Sequence, residues 1–148
     1  MAEYSANAVQ TVNPGEAIVF TESPVPCVLG LVRHRDDTGS FLLSGASANG
    51  CACRCSRTGS TNYLVDFGAN IAIPTGETVG PISVAIAIDG TTVASSTMIV
   101  TPATVEQYFN VSRMTNVQIW NNCCETVSIR NTSAIPILVQ NANLNVAR

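Results

Sequence analysis

The sequence predicts an all-β protein, an antiparallel sandwich or barrel of about ten short strands. Three observations carry that expectation. Ile82, Val84, Ile86 and Ile88 alternate with Ser83, Ala85, Ala87 and Asp89, and a period of two puts four branched apolar side chains on one face of a strand. Asp89-Gly90 follows directly, supplying the two positive-φ residues that a tight hairpin needs. Gly, Pro and Asn turn signals separate the remaining apolar runs, with no long helical period and no repeat of the length that builds solenoids or propellers.

In chain order, residues 1–7 lack periodicity and are expected to form an N-terminal arm, with one domain covering residues 8–148. Residues 8–12 and 17–20 read as strands separated by Asn13-Pro14-Gly15-Glu16, and Ser23-Pro24-Val25-Pro26 reads as the next turn. Residues 27–32 are apolar on both faces and belong inside the sandwich. Tyr63, Val65, Phe67, Ala69, Ile71 and Ile73 form the longest alternating row, broken by Pro74-Thr75-Gly76, and residues 91–94 begin the return strand after Asp89-Gly90. Residues 97–101, 108–111 and 117–120 continue the pattern. Residues 126–131 match residues 135–140 as a pair, and Pro136, without an amide hydrogen, belongs at a strand start or edge.

The composition limits the chemistry. All seven basic residues are Arg, so Schiff-base, P-loop and lysine general-base chemistry are excluded. A net charge of −3 offers no basic stripe for a phosphate backbone, so no nucleic-acid partner is expected. Charged residues make up 11% against 46% hydrophobic, sparse for a lone domain in water, and the expected remedy is burial of surface against copies of itself. The first residues lack a basic segment and apolar core of a secretory signal, and no run is apolar enough to span a bilayer as a helix. Synthesis in the cytoplasm and no membrane partner are the resulting expectations.

Candidate sites are few. His34 is the sole histidine, so any histidine general base must be His34, with Asp36 or Asp37 to orient it. The simpler reading is a solvated hairpin tip, because no nucleophile motif accompanies these charges. Cys51, Cys53 and Cys55 share one face if extended, at intervals of about 6.6 Å, too far apart for neighbouring ligands of one zinc. With Cys27, Cys123 and Cys124 the count is six. Three readings stay open for Cys51, Cys53, Cys55, Cys123 and Cys124: reduced thiols, disulfides formed outside the cell, or a thiolate metal site in a curled loop. Trp120 reads as core or interface before it reads as a sugar platform. On the last strand Gln140, Asn141, Asn143 and Asn145 could bond to copies around a symmetry axis or meet water. Asn110-Val111-Ser112 and Asn131-Thr132-Ser133 match the glycosylation pattern, read here as coincidence. No catalytic residue, cofactor or bound metal is expected.

The order of motifs is similar to the C-terminal domains of collagen-like spore-surface glycoproteins of bacilli and clostridia. The residues that carry it are Thr11-Val12-Asn13-Pro14-Gly15-Glu16-Ala17-Ile18-Val19-Phe20, Phe67-Gly68 followed by Ile73-Pro74-Thr75-Gly76, the Ile-rich strand with Asp89-Gly90, and Ile129-Arg130-Asn131-Thr132-Ser133. The resemblance implies a jelly roll of the C1q and tumour-necrosis-factor type, associating as a homotrimer, with related short proteins in clostridia and their phages. It implies no catalytic residues. A Gly-X-Y stalk is missing from the sequence given, and the cysteine-rich segment departs from the family pattern.

The function expected is therefore a non-enzymatic structural protein on an outer surface, foremost a phage capsid decoration or head-fibre protein whose partners are itself and the capsid. Two alternatives stand beside it, a spore-surface protein and a carbohydrate- or receptor-binding module. A cupin-like metal enzyme fails for want of histidines.

Overall fold

The computed structural model describes residues 1–27, 30–35, 37–45 and 56–148. Among them are twelve strands in two six-stranded sheets and a single 3-10 turn, Ala94–Ser96. The strands are β1 (Ala2–Ala6), β2 (Gln10–Val12), β3 (Glu22–Val25), β4 (Val32–His34), β5 (Phe41–Ser44), β6 (Ser56–Ala72), β7 (Ile82–Ile88), β8 (Thr91–Thr92), β9 (Met98–Val100), β10 (Phe109–Asn121), β11 (Cys124–Asn131) and β12 (Ile137–Ala147). One sheet runs β10-β6-β12-β1-β3, with β2 also on β12. The other runs β4-β5-β11-β7-β8, with β9 also on β7. Every pairing is antiparallel.

The core lies between the sheets and follows the alternation directly. Tyr63, Val65, Phe67, Ala69 and Ile71 of β6, with Ile73 beyond it, are buried, as are Ile82, Val84 and Ile86 of β7. Each Val, Ile or Phe side chain among them contributes about 1.5–3 kcal/mol by leaving water. Asp89 and Gly90 take φ of 48° and 82°, as the hairpin into β8 requires. On the opposite face of β7, Ala85 and Ala87 are fully buried within the chain while Ser83 is partly exposed, and Arg130 pairs directly opposite Ala85 on β11.

Several expectations are corrected. Residues 1–7 are not an arm: β1 lies between β12 and β3, with Ala2, Tyr4 and Ala6 buried. Its apolar row is two alanines and a tyrosine, too small to register as a hydrophobic period, and it is held by backbone pairing on both sides. Residues 17–20 form no strand beyond one bridge, Ala17 to Arg130. They cross between the sheets: Ile18 N–H donates to Ile129 C=O in one, and Thr21 N–H donates to Ser5 C=O in the other. At the crossing the Gln10 amide replaces a strand partner, accepting from Val19 N–H and donating to Val19 C=O, both at 2.9 Å. Residues 23–25, expected as a turn, belong to β3, where Pro24 sits on the edge strand of its sheet. The two runs at 108–111 and 117–120 are one 13-residue strand, β10, whose polar middle pairs with β6 along its whole length. Residues 126–131 and 135–140 do not pair. β11 and β12 lie in different sheets, because a sandwich consecutive in sequence can change layer at any turn.

Candidate functional site

His34 ends β4 with its ring in a three-ring cluster, Tyr4 and Phe41 being 4.7 Å apart themselves. It stacks on Phe41 at 4.7 Å between centroids and lies tilted on Tyr4 at 5.2 Å. Its Nε2 is 3.0 Å from Thr38 C=O, a backbone group and not a carboxylate. Asp36 lies outside the described residues, and Asp37, at φ 57°, belongs to the turn into β5. The ring packs as part of the core rim; Glu22, Ser23 and Asp37 line a cleft with it, and among the described residues its one hydrogen-bond partner is the Thr38 carbonyl. Burial raises the Tyr4 phenol above its usual value, with the nearby Cys27 adding to the effect.

Arg33 and Arg35 flank His34 and line a cleft of about 320 Å³ with Ser40, Leu42 and Thr126. Among the described residues no group of three His, Cys, Asp or Glu side chains could hold a metal ion. Cys123 and Cys124 are disulfide-bonded. Cys51, Cys53 and Cys55 lie outside the described residues. Cys27 is half-buried beside a small cavity of about 50 Å³ that Tyr63 and Arg148 also line.

Gln140, Asn141, Asn143 and Asn145 lie on β12, which is flanked by β6 on one side and by β1 and β2 on the other. Asn141 takes φ 52° where the pairing with β6 shifts between Gln140 and Asn143, a β-bulge. Before it the odd residues Ile137 and Val139 are buried; after it the even residues Ala142, Leu144 and Val146 are. The bulge turns Gln140, Asn143 and Asn145 to the same outward side. There Asn143 Nδ2 donates to Glu3 Oε1 at 2.8 Å and Asn145 Nδ2 donates to Asn143 Oδ1 at 2.7 Å.

Those amides belong to a wider surface. The outward rows of β10 and β6 pair Trp120 with Ser60, Gln118 with Asn62, Asn116 with Leu64 and Met114 with Asp66. Trp120 and Met114 are 39% and 57% exposed, so Trp120 is not in the core. Gln118 Nε2 donates to Ser60 Oγ at 2.8 Å. Across the outward rows of β10, β6 and β12, Asp66 is the one charged side chain among the described residues.

A second cleft, of about 360 Å³, lies at the end of the other sheet and was not foreseen. Gly15, Gly90, Thr92, Arg130, Asn131, Thr132 and Ser133 line it. It forms because three turns meet there: Gly15 N–H donates to Asn131 C=O, and Thr132 N–H to Ser83 C=O. Asn131 fixes the corner from inside, its Nδ2 donating to Val12 C=O and Ile135 C=O, both at 2.9 Å, and its Oδ1 accepting from Ser133 N–H at 2.8 Å. That amide nitrogen is buried and engaged twice, so the Asn131-Thr132-Ser133 match is no glycan acceptor in the folded chain. The Asn13–Glu16 turn, the Asp89-Gly90 signal and the Ile129–Ser133 motif each touch this cleft in the sequence, and none reveals that they meet.

No family model matches the sequence, and a search of curated proteins returns no relative. Solved structures do match in shape. The globular domain of zebrafish complement 1qA protein superposes with a TM-score of 0.62 at 11% identity, covering 99% of this chain and 94% of that one. The EclA C-terminal domain, a sugar-binding protein, gives a TM-score of 0.41 at 9% identity over 96% of this chain and 79% of that one. A family 35 carbohydrate-binding module from an environmental isolate gives 0.41 at 10% identity over 99% and 96%. At these identities a match speaks to fold alone, and by the first of them the chain has the jelly-roll fold of a C1q globular domain.

Proposed function

We propose that this chain is a non-catalytic surface domain that assembles as a homotrimer and serves as a structural component of a larger particle, foremost a phage capsid decoration or head-fibre protein. The observation that carries the assembly is the outward face of β10, β6 and β12, where among the described residues of those strands Asp66 is the one charged side chain, Glu3 of the neighbouring β1 bonds Asn143 at the edge, and Trp120 and Met114 stand exposed. Charge depletion with aromatic and Met side chains is the composition of an interface core. Amide rows satisfy their own hydrogen bonds against a copy of themselves as readily as against water. The resemblance of the Thr11–Phe20 and Ile129–Ser133 motifs to trimeric spore-surface domains supports three copies, and leaves a spore surface as the alternative location.

Light scattering of the purified chain at micromolar concentration tests the assembly. The expected mass is three times that of one chain, and a monomer at that concentration overturns the reading. Immunogold labelling of phage particles tests the location: a label on the capsid or its fibres supports the decoration role, and unlabelled particles remove it.

A further inference from the structure

The cleft over Arg130 is the best-built polar feature that the surface role leaves unused. A guanidinium has five N–H donors. Arg130 Nη1 donates to Gly15 C=O at 3.1 Å and Nε to Ser128 Oγ at 3.4 Å. Three donors therefore have no partner among the described residues, on a side chain whose orientation two anchors already fix. Arg130 is half-buried and pairs with Ala85 of β7. Nη2 points towards Gly90, where a Cβ would come within 3.8 Å of it, so the hairpin glycine leaves the approach open.

The rim is supplied by hydroxyls. Thr92 and Thr132 are exposed on either side, and Ser83 Oγ lies 2.7 Å from Thr132 Oγ1. Ser133 is already used, bonding to Ser83 N–H and C=O. No carboxylate lines the cleft among the described residues. The Oδ1 of the adjacent Asp89 is engaged by Thr126 N–H at 2.7 Å. A partly desolvated, pre-oriented arginine without a carboxylate partner is a receptor for an external oxyanion, and the surrounding hydroxyls match a ligand that is itself hydroxylated.

The geometry points to a binding site for a small hydroxylated ligand bearing an oxyanion, a sugar carboxylate or sugar phosphate, held by Arg130 with Thr92 and Thr132 at the rim. The inference does not rest on the trimer, because β11 and β7 belong to the other sheet.

The test is a titration of the isotopically labelled chain followed by amide NMR, with D-glucuronate, glucose 6-phosphate and glucose as separate probes. Saturable shifts of the Gly90, Thr132 and Ser133 amides are expected with an anionic probe and not with glucose. Which anion acts tells carboxylate from phosphate. Arg130→Gln is expected to weaken binding about tenfold or more, the loss of a hydrogen bond to a charged group. Because Arg130 also ties Gly15 to the sheet, Thr92→Glu gives an independent arm: its carboxylate reaches the guanidinium from the rim and competes with the added anion, leaving both anchors intact. Absence of shifts with both anions, equal shifts with glucose, or unchanged binding in Thr92→Glu overturns the assignment.

Discussion

Asn131 shows how one amide can hold a corner of the sandwich. Its Nδ2 satisfies two carbonyls from different segments and its Oδ1 caps Ser133 N–H, all in a site 1% exposed. Asn131→Ala leaves these groups unpaired in a buried to half-buried corner, and each orphaned buried group costs about 1–3 kcal/mol. The expected loss is about 2–4 kcal/mol, allowing for partial relaxation, measured as a lower urea midpoint with unchanged slope. Glu125 is a second residue under tension. It follows the core-facing parity of Val127 and Ile129 on β11, and burial, reinforced by the Asp89 carboxylate, raises its carboxyl above the usual range. With its folded value above its unfolded one, the folded state binds the proton more tightly, so the penalty exists at neutral pH and fades as pH falls through the raised value. Glu125→Gln is accordingly expected to raise the thermal midpoint at pH 7 and to leave it unchanged near pH 3, below the ordinary carboxylate range of about 4. Equal effects at both pH values would count against this account.

At the scale of elements, the decisive device is the bulge in β12. Asn141 in the left-handed region lets one strand pair with β2 through Ile137–Val139 and with β1 through Ala142–Val146, while keeping an apolar residue inward on both sides of the break. Asn adopts that conformation at low cost and a β-branched residue does not. Asn141→Val is expected to destabilise by about 1–2 kcal/mol and Asn141→Gly by far less, read from paired denaturation curves. If both cost the same, the backbone conformation is not what the asparagine serves. The alternating rows of β6 and β7 are plain in the sequence because five large apolar residues with Ala69 among them, running to Ile73 just past β6, and four along β7 keep strict parity. β1 was illegible for the opposite reason, as its inward row is short and small. The polar centre of β10, Ser112-Arg113-Met114-Thr115-Asn116, also hid a continuous strand, because at those positions neither face needs to be apolar to keep a backbone ladder.

For the whole molecule, the exposed face of β10, β6 and β12 is the surface on which the proposed assembly stands. Asn116→Lys combined with Gln118→Lys would set two desolvated cations in the proposed contact on every copy. These side chains are exposed in the single chain, so folding is expected to persist while the scattering mass falls to that of one chain. A trimer that survives both lysines would place the contact elsewhere.

The sequence alone determined the all-β class, the inward rows of the two longest core strands and the Asp89-Gly90 hairpin, since each depends on parity or turn chemistry within a few residues. Only the tertiary structure decided that β11 and β12 part into different sheets, that residues 17–21 cross between layers on the Gln10 amide, and that Arg130 meets Gly15, Gly90 and Thr132 around one cleft. Those outcomes depend on contacts between residues up to 119 positions apart, and short-range periodicity holds no information about which distant turns will meet.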